Sequence, residues 1–147
     1  MYSLAEIERN VDILVDNTGE HIDKKIRHIV VALRFAGFNT AASCEGHLDH
    51  GFPYPWVDIA YDDKRLSRNE KKRLKKLLKQ FYKNRHSRHR LLILPFADYR
   101  IQSVRWPRGL RKRKNHVDST DGTLLSRYQD EMDGFADFLI TITRNNS

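Results

Sequence analysis

With a single cysteine, Cys44, in 147 residues, the chain cannot close an internal disulfide, and a reducing setting is expected: the cytoplasm, or the inside of a host cell if the source is a virus. No apolar run approaches the roughly 18 residues a membrane-spanning helix needs, so no membrane partner is expected. The opening stretch MYSLAEIERNVDILVDN lacks both the basic n-region and the continuous apolar core of a signal peptide. Helix-turn-helix, zinc-finger and basic-zipper patterns are also missing, which disfavours sequence-specific reading of duplex DNA.

Acid is scarce in one place above all. Residues 64–116 carry 20 Lys/Arg against 2 Asp/Glu, whereas residues 1–63 carry 5 against 11 and residues 117–147 carry 2 against 6. The net charge of +8 is therefore the sum of a strongly basic centre and two acidic flanks. Such a polarity speaks to partners rather than to fold, and it favours a polyanion.

Hydrophobic periodicity supplies the elements. Ser3 and Glu6 have the spacing of a capping box, and Leu4, Ile7, Val11, Leu14 and Val15 follow at helical intervals, giving a helix over 4–16. Ile22, Ile26, Ile29, Val30 and Leu33 predict a second helix over 20–36, closed by Gly37. Phe38 to Cys44 reads as a short buried strand, and Trp56 to Tyr61 alternates as a strand with Val57, Ile59 and Tyr61 on its drier side. Ser67 and Glu70 form a second capping box before a long helix over 68–85. Leu91–Leu94 and Tyr99–Val104 look like a hairpin, and a last helix spans 121–143. The predicted fold is α+β, one domain over 1–147 with the order ααββαββα. Its helices pack on a mixed or antiparallel sheet of about four strands.

Two basic segments are candidates for nucleic-acid contact. On a helix of about 3.6 residues per turn, Arg68, Lys72, Lys75, Lys79, Lys83 and His86 form one stripe, which Lys71 and Lys76 widen. The second is the loop with Arg105, Arg108, Arg111, Lys112, Arg113 and Lys114, beside Trp106. A solvated face is the alternative for any charge run, and an acidic protein surface would serve as partner as well as RNA does.

The stretch from Gly37 to Tyr61 holds the other candidate site. Cys44, His47 and His50 have a C-x2-H-x2-H spacing whose thiolate and imidazoles suit zinc, with Asp49 nearby. Alternatively His47 activates Cys44 as a nucleophile, with Glu45 orienting or acting as acid and base. In a third reading Ser43, Gly46, Asp49 and His50 hold a ligand without transforming it. Pro53 and Pro55 would then stiffen the return and present Tyr54 and Trp56 for stacking. The bland alternative makes Cys44 a small buried hydrophobe and His47 and His50 surface residues.

The run Thr40-Ala41-Ala42-Ser43-Cys44-Glu45-Gly46-His47 resembles small uncharacterised bacterial and phage proteins that carry a T-x-x-S-C-x-G-H element. More distantly it is similar to the Ser-Cys-x-Gly-Arg element of the wybutosine-synthesis methyltransferase family, with His47 where that family has arginine. Members of that family act on tRNA with S-adenosylmethionine. The resemblance implies an RNA-related ligand and roles for Ser43, Cys44 and Gly46, and it adds S-adenosylmethionine as an alternative to the zinc that the Cys/His spacing suits; the cofactor stays open between them. The leading expectation is RNA or polyanion binding through the basic helix and loop. The alternatives are a small enzyme acting on a nucleotide or tRNA through Cys44, Glu45 and His47, and a phage or mobile-element protein-interaction module.

Overall fold

The first helix, α1 (Leu4–Ile13), begins at the capping box: Ser3 Oγ accepts the Glu6 N–H at 3.3 Å and the Ser3 N–H donates to Glu6 Oε2 at 2.7 Å. The computed structural model describes residues 1–15, 19–59, 66–83, 85, 92–93, 100–103 and 119–147, with the backbone alone at 92–93 and 119–121. The second helix, α2 (Lys24–Phe35), starts four residues later than its apolar stripe suggests. Ile22 lies outside it but still packs against the core. At its other end Gly37 takes φ +90°. The Phe38 N–H reaches Leu33 O and the Gly37 N–H reaches Arg34 O, the paired bonds of a Schellman stop that needs a left-handed residue.

Among the described residues four strands follow in antiparallel register. β1 (Thr40–Cys44) pairs with β2 (Trp56–Ile59), β2 pairs with β4 (Arg100–Ser103), and the two-residue β3 (Leu92–Ile93) lies outside β4. The sheet order is β1-β2-β4-β3. β1 is thus an edge strand rather than a buried one, and Ala41 and Ala42 are exposed. Small side chains tolerate burial without requiring it, which is why the sequence misleads there. β2 behaves as its alternation predicts, with Val57 and Ile59 fully buried and Trp56 and Asp58 half-buried.

The third helix, α3 (Arg68–Lys83), opens with Ser67 Oγ accepting the Glu70 N–H at 3.2 Å. The fourth, α4 (Ser119–Asn145), is the longest. One hydrophobic cluster joins the elements: Ile26, Ile29, Val30 and Leu33 of α2, Val57, Ile59 and Ile101 of the sheet, Leu74 of α3, and Met132, Phe135 and Leu139 of α4. Among the described residues the architecture is α+β, four helices with an antiparallel sheet. Among the described residues no helix is long and apolar enough to cross a membrane.

α2 and α4 also meet through polar groups. His28 Nε2 lies 2.7 Å from Asp137 Oδ1. Asp133, one turn earlier, has its carboxyl pushed above the ordinary value, chiefly by burial; His28 opposes the shift, and Asp130 and Asp137 add to it. A carboxyl raised in the folded state favours folding at low pH, and this contribution is lost as pH rises through the folded pKa. Asp133→Asn is therefore expected to melt at a higher temperature than the natural chain at pH about 7. The advantage should disappear below pH about 4, where an ordinary aspartate is itself protonated. Thermal melts at the two pH values check this.

Candidate functional site

The cysteine loop is built from an exchange of partners. Asp23 is the N-cap residue of α2, a position where an aspartate normally accepts an N–H of its own first turn. Here it makes no such bond. The Lys25 N–H donates instead to Glu45 Oε2 at 3.0 Å, and Asp23 Oδ2 accepts the Glu45 N–H at 3.3 Å. Glu45 thus places its negative charge at the positive end of α2, and the Asp23 carboxylate is turned toward Cys44 and His47. Glu45, expected among catalytic groups, serves as a long-range helix cap.

Three further contacts fix the loop. Gly46 is buried at φ +87°, and a Cβ built there would stand 2.7 Å from Leu125 Cδ1 and 2.8 Å from the carbonyl carbon of Tyr54. Gln129 Nε2 donates to Glu45 O at 2.8 Å. The His47 N–H closes the turn on Phe52 O at 3.0 Å. Glycine is required at 46 for conformation and for space, because the loop lies directly on the return strand's entry and on α4.

Inside this frame, ligand atoms of Asp23, Cys44 and His47 all lie within 4.8 Å of one another, and all three residues are half-buried. His47 Nε2 is 3.8 Å from Asp23 Oδ2. Cys44 Sγ accepts the Gly46 N–H at 3.4 Å. Burial raises the Cys44 thiol above its ordinary value; that hydrogen bond opposes the rise, and the Asp23 and Glu45 carboxylates add to it. The surroundings therefore favour thiol over thiolate, opposite to what an activated nucleophile needs.

His50 differs from its expected part. Its Nδ1 is 2.7 Å from Asp49 Oδ1 on the exposed loop tip, and this contact is the main cause of the lowered Asp49 pKa. Its ring stacks on that of His47, centroids 4.2 Å apart. His47, Asp49 and His50 also have ligand atoms within 4.8 Å, but Asp49 and His50 are exposed and already bonded to each other. Among the described residues, the soft, half-buried set contains Asp23 in place of His50. Nothing near Cys44 in sequence points to Asp23: an acid before Lys24 and Lys25 reads as an ordinary helix cap.

The aromatic return is partly spoken for. Tyr54 is half-buried with its ring against Phe52, centroids 5.3 Å apart. The Arg100 guanidinium lies 4.0 Å over the Trp56 ring and is held there by both Asp58 oxygens at 2.6 and 3.0 Å. One face of Trp56 is therefore already covered. Ser43, opposite Val57 in the ladder, is half-buried in β1. A cleft of about 440 Å³ between the ends of α2 and α4 and the flank of α3 contains none of these residues.

On α3, Leu74, Leu77, Leu78, Phe81 and Tyr82 are buried, while Arg68, Lys72, Lys75, Lys76, Lys79 and Lys83 are exposed. Arg73 is anchored, donating to Ala36 O at 2.5 Å and lying over Phe38. His86, Arg105, Trp106, Arg108, Arg111, Lys112, Arg113 and Lys114 lie outside the described residues.

α4 separates the two features. Leu125 and Gln129 face the cysteine loop. Glu131 pairs with Arg85 just beyond α3 at 2.9 Å, and Phe135 and Phe138 pack on Phe81. At about 100° per residue, Glu131 and Phe138 lie on nearly the opposite side of the helix from Gln129. The basic helix and the cysteine loop thus occupy opposite flanks of α4. Compared with family models, with curated proteins and with solved structures, the chain finds no match in any of the three.

Proposed function

We propose that the protein binds RNA, or a polyanion of similar charge density, along the outer face of α3. The observation that carries this reading is the division of that helix: its apolar residues are spent on the core, and eight Lys/Arg stand against one Glu on the remainder. Neighbouring like charges at three- and four-residue spacing repel by about 0.2–0.5 kcal/mol per pair, and a row of phosphates relieves that repulsion while releasing condensed counterions. The basic segment 105–114 adds six further Lys/Arg to the same partner's side of the charge ledger. Phosphate contacts carry no sequence information, so binding along this stripe is proposed to be of backbone type, tolerant of sequence.

Fluorescence anisotropy with a labelled single-stranded RNA tests this. Each phosphate neutralised on a single strand contributes about −0.7 to the slope of log affinity against log salt. Four contacts along α3 therefore predict a slope of about −2.8 or steeper, an affinity loss of about 50-fold between about 50 and 200 mM salt. Absence of binding at low salt would leave the stripe as a solvated face. Equal affinity for an acidic polypeptide would shift the partner from nucleic acid to protein.

A further inference from the structure

We propose that Asp23, Cys44 and His47 form a site for a zinc-class divalent cation, with carboxylate, thiolate and imidazole as three ligands and a fourth position open to water. It stands apart from the polyanion reading, since α4 lies between the two regions.

Two observations point to it independently. The first is the cluster: one oxygen, one sulfur and one nitrogen donor within 4.8 Å, half-buried, and drawn from two elements distant in sequence. Ligands of a tetrahedral zinc site lie about 2.0–2.3 Å from the metal, so the 3.8 Å between His47 Nε2 and Asp23 Oδ2 requires only slight closure. The second is the displaced cap. An N-cap aspartate that leaves its own helix to a glutamate more than twenty positions later, accepts that glutamate's N–H instead and stands with its carboxylate beside a cysteine and a histidine forgoes the bond that position normally makes. A cation between the three side chains accounts for the exchange. The surrounding bonds act as an outer shell: the Glu45 N–H orients Asp23, the Gly46 N–H points at Cys44 Sγ, and the backbone of His47 is tied to Phe52. Such outer contacts set ligand orientation.

The donor set selects the metal. Thiolate and imidazole disfavour magnesium and calcium and suit zinc or cobalt. On binding, the metal–sulfur bond forms as the S–H bond breaks, and the thiol proton passes to solvent. Three protein ligands with one exchangeable position is the arrangement of zinc sites that accept an incoming ligand rather than of closed structural ones.

Cobalt(II) titration of the untagged, chelator-treated full chain tests this by absorption. The expected result is one equivalent bound, with a thiolate-to-cobalt charge-transfer band in the near ultraviolet and visible bands of tetrahedral intensity, both bleached by zinc. Surface histidines and carboxylates cannot produce the thiolate band. Cys44→Ser should abolish it, and Asp23→Asn should weaken cobalt affinity by more than about tenfold, circular dichroism confirming that each variant is folded. His50→Ala should leave the band in place. No thiolate band in the natural chain at excess cobalt would overturn the proposal. So would a band lost in His50→Ala and kept in Asp23→Asn.

Discussion

Gly46→Ala is expected to destabilise the protein by about 2–5 kcal/mol, from two additive costs. A left-handed conformation costs an L-residue about 1–2 kcal/mol, and Gly46 stands at φ +87°. Overpacking a filled site adds about 1–3 kcal/mol. Here the new methyl meets Leu125 Cδ1 at 2.7 Å, Tyr54 C at 2.8 Å and Pro55 N at 3.1 Å. Leu125 can swing aside, but the backbone at 54–55 is tied into the sheet, where the Ser103 N–H donates to Pro55 O. The loop must therefore lift from α4, loosening Glu45 O from Gln129 and the Glu45 carboxylate from α2. Urea unfolding measures the loss. Gly51→Ala is the control: it also has positive φ, but no atom lies within 4 Å of the added Cβ, so it should cost only the conformational part, about 1–2 kcal/mol.

Replacing Lys72, Lys76, Lys79 and Lys83 together by glutamine is expected to abolish most RNA affinity while leaving the fold intact. All four are exposed. At about 100° per residue they lie in a narrow line along the outer face. If each neutralises one phosphate, the salt slope becomes shallower by about 2.8. Extrapolated from a reference near 1 M, affinity at about 50 mM salt falls on the order of 10³-fold. Stability should hold or rise slightly, because seven like-charged contacts at three- or four-residue spacing are removed, three among the four lysines and four to Arg68, Arg73 and Lys75, each costing about 0.2–0.5 kcal/mol. The two readouts separate binding from folding: a variant that melts early and binds weakly would say that the lysines are structural.

The elements that were legible in the sequence share one property: their signals are local. Ser3 with Glu6, Ser67 with Glu70, and Gly37 after an apolar stripe are each read within a few residues, and the capping bonds and the Schellman stop stand where those residues place them. The buried stripe of α3 follows from its spacing in the same way. What was not legible depends on distant pairs. Asp23 becomes a neighbour of Cys44 only because α2 packs beside β1, and Gln129 reaches the loop only because α4 crosses behind it. The edge position of β1 likewise depends on the order in which later strands join. The periodicity of α4 marks apolar positions, yet which polar residue faces which neighbour is decided by packing. The separation of the basic stripe from the cysteine loop could not be read beforehand for that reason.

The most direct test of that separation, and of α3 as the binding face, is an NMR titration of the ¹⁵N-labelled chain with a short single-stranded RNA at low salt. The predicted result is a concentration-dependent shift of amides along 68–83, with those of 44–50 unmoved. A spectrum in which residues 44–50 shift while α3 stays still, or in which nothing moves, would contradict it.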